Sequence, residues 1–197
     1  MLEEKQDVIY LSINKGSLIR WMGENAPMKN YSKVGGNVIG LYSSVKHIDD
    51  SDVMFMYVRM TDGDEVMSVQ CPLYSSAGPD IIRSLVYAVR NKMDFVTGGK
   101  ITIEVFQKRK ENNKTFTNAR VFFNDTKLDW VNVPNGVSRE DGLKAFYNEV
   151  VEYIKSKKKY DDDDDLPEGP ADAGFPSSGR GMGGYHGTGR SPFDDHR

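Results

Sequence analysis

The sequence predicts a mainly β protein: a five-stranded Greek-key barrel with one helix between its third and fourth strands, followed by an amphipathic helix and a disordered tail. Three observations carry this. Short runs of β-branched and aromatic residues alternate with period 2 between turn signals. Two stretches, 81–89 and 143–154, instead repeat apolar residues at helical spacing. After Tyr160 the composition shifts abruptly to an acidic run and then to glycine, proline and serine. The expected boundaries are a barrel over 1–136, a docked helix over 137–160 and a tail over 161–197.

Residues 1–7 are charged and expected to fray. From Val8 to Ile13, Ile9, Leu11 and Ile13 face one way and Tyr10 the other. Ser17–Met22 reads as a continuation of that strand after a bend at Gly16. Gly23–Gly36 reads as a loop carrying Lys29, Tyr31 and Lys33. In the strand Asn37–Val45, Ile39, Leu41 and Val45 form the expected core face, with Tyr42 opposite. Lys46–Asp52 is a polar turn. In Val53–Met60 the alternation is clear: Met54, Met56, Val58 and Met60 share one face, and Phe55, Tyr57 and Arg59 share the other. Asp62-Gly63 is a hairpin signal. Glu65–Cys71 returns, and Pro72 ends its pairing.

Gly78-Pro79 starts a helix with proline at the first helical position, and Ile81, Ile82, Leu85, Val86 and Val89 form its stripe. Lys100–Asn124 is a second hairpin. Ile101, Ile103 and Val105 face Thr117, Ala119, Val121 and Phe123 on one side. Phe106, Lys108, Phe116, Asn118, Arg120 and Phe122 lie on the other. Lys127–Val133, with Trp130, reads as a short last strand closed by Pro134-Asn135-Gly136. Ser138 and Asp141 form a capping pair for the final helix. Leu143, Phe146, Tyr147, Val150, Val151 and Ile154 are its buried face, and its lysine-rich end suits the helix dipole.

Strands, a helix, then a hairpin is the order of an oligonucleotide-binding (OB-fold-like) barrel, which binds single strands across one sheet face and the loops beside it. The residues fit that use. Tyr10, Tyr42, Phe55, Tyr57, Phe106, Phe116 and Phe122 all stand opposite the better aliphatic face of their strands, accompanied by Arg59, Lys108 and Arg120. Flat rings stack on bases and cations hold phosphates. The local basic patches are Lys108-Arg109-Lys110 with Lys114, and Lys15 and Arg20 with Lys29 and Lys33. The bland alternative is that α-helical packing covers some rings and the lysines are ordinary solvated surface.

The charge is split. The net of −3 combines a body, residues 1–160, with 23 basic against 20 acidic side chains (+3), and a tail with 3 against 9 (−6). Composition is otherwise that of a globular chain, 38% hydrophobic and 28% charged. Its apolar runs are too short to span a bilayer, and Met1–Asp7 has no signal-peptide pattern. The single cysteine, Cys71, excludes an intramolecular disulfide and reads as a buried core thiol. A cytoplasmic setting is expected. No histidine pair has metal spacing, and no nucleophile-elbow or phosphate-loop motif occurs, so no enzyme, metal or cofactor is expected.

A barrel-like body with an acidic tail resembles single-stranded DNA-binding proteins of the replication type, most of all those of bacteriophages. The resemblance implies a body for single-stranded DNA and a tail for replication, recombination and repair proteins, and host cytoplasm where the chain is phage-encoded. The tail residues concerned are Asp161, Asp162, Asp163, Asp164, Asp165 and Leu166, with Phe193, Asp194 and Asp195 nearer the terminus. Bacterial members end in an acidic run followed by Ile-Pro-Phe. Here Leu166-Pro167 is followed by Glu168, and Pro192-Phe193 by Asp194-Asp195-His196-Arg197. Two other readings stay open on sequence alone: a β-barrel assembly module that docks a protein on its aromatic faces, and an RNA-binding regulator. Self-association is left open.

Overall fold

The computed structural model describes residues 8–20, 28–109 and 113–158. Trp21, Lys110 and the whole tail, with its candidate residues Asp161–Asp165, Leu166, Phe193, Asp194 and Asp195, lie outside them.

The chain is mainly β. Nine strands are described: β1 (Val8–Asn14), β2 (Ser17–Arg20), β3 (Lys29–Tyr31), β4 (Lys33–Ile48), β5 (Ser51–Asp62), β6 (Glu65–Pro72), β7 (Ile101–Arg109), β8 (Thr115–Phe123) and β9 (Thr126–Lys127). Helix α1 (Gly78–Arg90) separates β6 from β7, and α2 (Arg139–Lys158) follows β9. The strands form one mixed sheet in the order β3-β2-β1-β6-β5-β4-β7-β8-β9. Among the described strands only β1 and β6 pair in parallel. The sheet is larger than the five strands expected, and the helix follows the sixth strand rather than the third. Its edge strands β3 and β9 do not pair, so the ladder does not close.

The extra strands arise where pairing is non-local. Lys15 and Gly16 both have positive φ, 45° and 76°, so Asn14–Ser17 is a tight hairpin turn and not a bend in one strand. The expected loop 23–36 contains β3 and the first residues of β4. Lys33–Gly36 has little strand character of its own, but pairs with Ile101–Glu104 of β7. Asp49 and Asp50 turn with φ of 46° and 61°, which Asp tolerates, so β4 and β5 run on through what reads as a polar turn. A bulge between Val38 and Gly40 shifts the phase of β4. Val38 and Leu41 are therefore both buried and Ile39 is half-buried; Val45, though in phase with Leu41, is exposed further out on the β4–β5 hairpin, not in the core. Of the expected strand 127–133, only Lys127 pairs, together with Thr126 before it, as β9. Val131 is instead strapped to α1: Arg83 Nε donates to its carbonyl (2.8 Å), and its own N–H donates to the Arg83 carbonyl (3.3 Å).

The core lies on one side of the sheet. Ile81, Ile82, Leu85 and Val86 of α1 are fully buried with Met56, Val58 and Met60 of β5, and with Ile101, Ile103 and Val105 of β7. Cys71 is buried among them, and desolvation pushes its thiol up to about 12. Helix α2 is capped as expected, Ser138 Oγ accepting from the Asp141 N–H (3.1 Å). It packs on α1 and on β4. Beyond Gly36, β4 parts from β7, and its free backbone is taken up elsewhere. Val38 N–H donates to the Phe95 carbonyl (3.0 Å), and the Tyr147 hydroxyl of α2 donates to the Leu41 carbonyl (3.4 Å). The helix thus covers a sheet edge. Neither helix of the structure is long and apolar enough to cross a membrane.

The end of α2 is pinned by Asp94. Its carboxylate accepts from the N–H groups of Val96 and Thr97 (both 3.1 Å), the Thr97 hydroxyl (2.9 Å) and Lys157 (3.2 Å). Burial alone would raise its pKa, but these donors hold it down from 3.8 to about 2. A depressed carboxylate stabilises the fold above its unfolded pKa and loses that effect as pH falls through the folded one. Asp94→Asn is therefore expected to lower stability by about 1–2 kcal/mol at pH 7, discounted for partial exposure. The deficit should shrink as pH falls from about 4 towards 2. Urea midpoints at neutral pH and near pH 3 measure it; an equal deficit at both would count against the linkage.

Candidate nucleic-acid interface

The sheet side away from the core is continuous across β4. Val34 and Gly36 stand beside Ile103 and Ile101 on the core side, so Lys33 and Gly35 stand beside Glu104 and Thr102 on the other. Through Asn37, paired with Thr61, the same outer side continues onto β5. The aromatic faces of the β4–β5 and β7–β8 hairpins are therefore neighbouring panels of one surface.

The first panel is built in rows. Arg59 lies between Gly40 of β4 and Ser68 of β6, with Tyr10 of β1 beyond Ser68. Tyr57 lies between Tyr42 and Gln70, and Phe55 between Ser44 and Pro72. The Arg59 guanidinium sits over the Tyr42 ring at 5.3 Å, and Lys46 Nζ over Phe55 at 5.3 Å. Gly40 makes the first stack possible, since a Cβ there would stand 2.6 Å from the Tyr42 ring. Tyr57 does not present its ring as expected. It is only 7% exposed, and its hydroxyl is 2.9 Å from Ser44 Oγ. Tyr10, Tyr42, Phe55 and Arg59 are half-buried. Arg59 Nε is buried without a hydrogen-bond partner.

The second panel pairs Thr102 with Phe122, Glu104 with Arg120, Phe106 with Asn118 and Lys108 with Phe116. Arg120 lies over the Phe106 ring at 4.4 Å, and Glu104 holds it from the side at 3.6 Å. Phe116 is 41% exposed, and Phe106 and Phe122 are half-buried. Phe116 therefore does not disappear under α2, which packs on α1 and β4. Asn118 turns to α1, its Nδ2 donating to Asp80 (3.1 Å).

The basic residues sort into two groups. Lys108, Arg109 and Lys114 are exposed at the tip of the β7–β8 hairpin. The β1–β2 turn joins them: Gly16 N–H donates to Thr117 Oγ1 (3.1 Å), and a Cβ on Gly16 would meet Gln107 at 2.6 Å. Exposed Lys15 is thus carried to the same tip. Arg20 and Lys29 are paired across β2 and β3 and face elsewhere, so the structure splits this patch.

Sequence reasoning misses Lys158. The last turn of α2 brings it within electrostatic reach of Arg59. Burial first, and then the Arg59 charge, hold its ammonium below the usual lysine range. A lysine within electrostatic reach of Arg59 adds positive potential at the margin of the first panel. No local pattern could reveal this, because it depends on where α2 docks.

Comparison of the chain with known protein families, characterised proteins and solved structures finds no match.

Proposed function

We propose that this chain binds and protects single-stranded DNA, laid across the outer side of β4–β5 and β7–β8, in replication, recombination or repair. The observation that carries the reading is the recurrence of ring-and-cation pairs on both panels: Tyr42 with Arg59, Phe55 with Lys46, and Phe106 with Arg120. A guanidinium lying on a ring presents its own flat outer face to a base and its remaining donors to a phosphate. Bases would stack on Phe55, Phe106, Phe116 and Phe122. Arg59, Arg120, Lys158 and the Lys15–Lys108–Arg109 tip would take the backbone. No catalytic role is proposed for any residue. The acidic tail would serve partner proteins of the same pathways.

The topology supports this use. Within the nine strands, β6-β5-β4-β7-β8 is the order 3-2-1-4-5, with α1 between the third and fourth. We read that order as the one of a partly open OB barrel, a fold whose strand 2–3 face and 1–2 and 4–5 loops bind oligonucleotides. In this reading β1, parallel to β6, occupies the position where a fifth strand would otherwise close the barrel.

The test is a titration of the full chain with labelled poly-dT, poly-rU and a duplex of equal length, at two salt concentrations. The expected result is affinity for the DNA single strand that falls as salt rises, because neutralised phosphates release counterions. Weak, salt-independent binding to all three would overturn the proposal. Preference for poly-rU would transfer the same surface to RNA.

A further inference from the structure

Beside the second panel, a cavity of about 250 Å³ opens between the first strands and the start of β4. Its floor is the end of the core: Ile9 of β1, Leu11, Val34 of β4 and Met67 of β6. Its rim is charged in two senses. Arg20 and Lys33 supply cations, Glu65 and Asp62 carboxylates, and Tyr31 an exposed ring. Asp62 is partly neutralised by Lys100 (2.5 Å). Arg20, Lys33 and Glu65 have no ion-pair partner among the described residues.

We infer that this cavity is a mononucleotide site, taking a nucleoside monophosphate whose base carries an exocyclic amine. A volume of about 250 Å³ lies below the roughly 300–1,000 Å³ of ordinary ligand sites, so it accepts one ring system and not a run of bases. The apolar floor receives a flat ring, and Tyr31 offers a face to stack on it. Arg20 and Lys33 suit a terminal phosphate, which carries more charge than an internal diester. Glu65 and Asp62 accept the amine hydrogens. A purely anionic ligand would be repelled by the carboxylates, and a purely cationic one by Arg20 and Lys33. A nucleotide presents both a donor edge and an anion, which matches the mixed rim. The same chemistry comes from a free nucleotide or from the 5′-phosphorylated end of a strand.

The probes are dCMP, dTMP, deoxycytidine and inorganic phosphate, titrated into the full chain with amide shifts followed by NMR. The expected result is that dCMP moves the amides of Leu11, Tyr31, Val34 and Met67. It should bind at least about tenfold more tightly than dTMP, deoxycytidine or phosphate. Arg20→Gln should remove the advantage over deoxycytidine, and Glu65→Gln the advantage over dTMP. Equal shifts from phosphate alone, or no shifts at these amides, would overturn the site. Two short oligonucleotides, one with a 5′-phosphate and one with a 5′-hydroxyl, separate the sources. Shifts at these amides from the phosphorylated strand place a strand end in the cavity. Shifts from dCMP but from neither strand restrict it to the free nucleotide. Because dCMP binding is read with the mononucleotide alone, loss of strand binding with dCMP binding intact would sink the strand reading alone.

Discussion

Replacing Phe55 and Phe116 together by alanine is expected to weaken single-stranded DNA binding by roughly 30-fold to 10⁴-fold, since each stacked ring contributes about 1–3 kcal/mol by truncation. One ring comes from each panel, so the pair samples the whole proposed track. Phe116 is 41% exposed beside Lys108, and Phe55 is half-buried beside Ser44 under Lys46. Neither belongs to the buried core, so the melting temperature should move little. Tyr57 is the wrong choice despite its place on the same face. At 7% exposure, its removal would open a hole in the sheet and confound binding with folding. The salt slope supplies a second readout. Rings neutralise no phosphate, so the slope of log affinity against log salt should stay as in the unsubstituted chain, while the intercept drops. Fluorescence anisotropy with a labelled oligonucleotide at four salt concentrations measures both. Unchanged affinity in a protein that melts normally would remove base stacking on these panels from consideration.

What was readable from the sequence follows from what is local. The stripe Ile81, Ile82, Leu85, Val86 and the capping pair Ser138–Asp141 each specify their element within a few residues, and both helices form where the pattern puts them. The β7–β8 hairpin is equally legible, because period-2 alternation survives in both strands at once. Lys33–Gly36 is not legible: two glycines give no strand preference, and only the edge of β7 makes the segment extended. The bulge at Val38–Gly40 breaks the alternation, putting Val38 rather than Ile39 in the core with Leu41. The candidate surface divides in the same way. That Phe55, Tyr57 and Arg59 share a side is a local fact. That Tyr57 is buried, that Gly40 makes room for Tyr42 and that Lys158 approaches Arg59 are facts of packing between distant segments.

Phe95→Ala carries the largest expected loss of stability, about 3–5 kcal/mol, because the ring is wholly buried and large. A loss of that size is a sizeable part of a typical domain's total of about 5–15 kcal/mol. The position joins three elements. The Phe95 carbonyl accepts from Val38 N–H of β4 (3.0 Å), and its ring meets Tyr153 of α2 at 5.0 Å, tilted by 43°. Tyr153 in turn donates its hydroxyl to the Met93 carbonyl (3.1 Å). Removing the ring leaves the backbone bond but empties the contact that seats the end of α2 against the sheet edge. Urea unfolding should show a lower midpoint with little change of slope; a loss below about 1 kcal/mol would mean that the site collapses and that α2 is held mainly elsewhere. The consequence reaches the proposed interface through Lys158, the last residue in the last turn of α2, beyond Tyr153. If Phe95 seats that turn, the folded Phe95→Ala protein at low temperature should also bind single strands more weakly. Lys158→Ala, which leaves the core intact, should reproduce the binding defect without the stability defect. Agreement between those two variants in binding, with disagreement in stability, would tie the docking of α2 to the surface it borders.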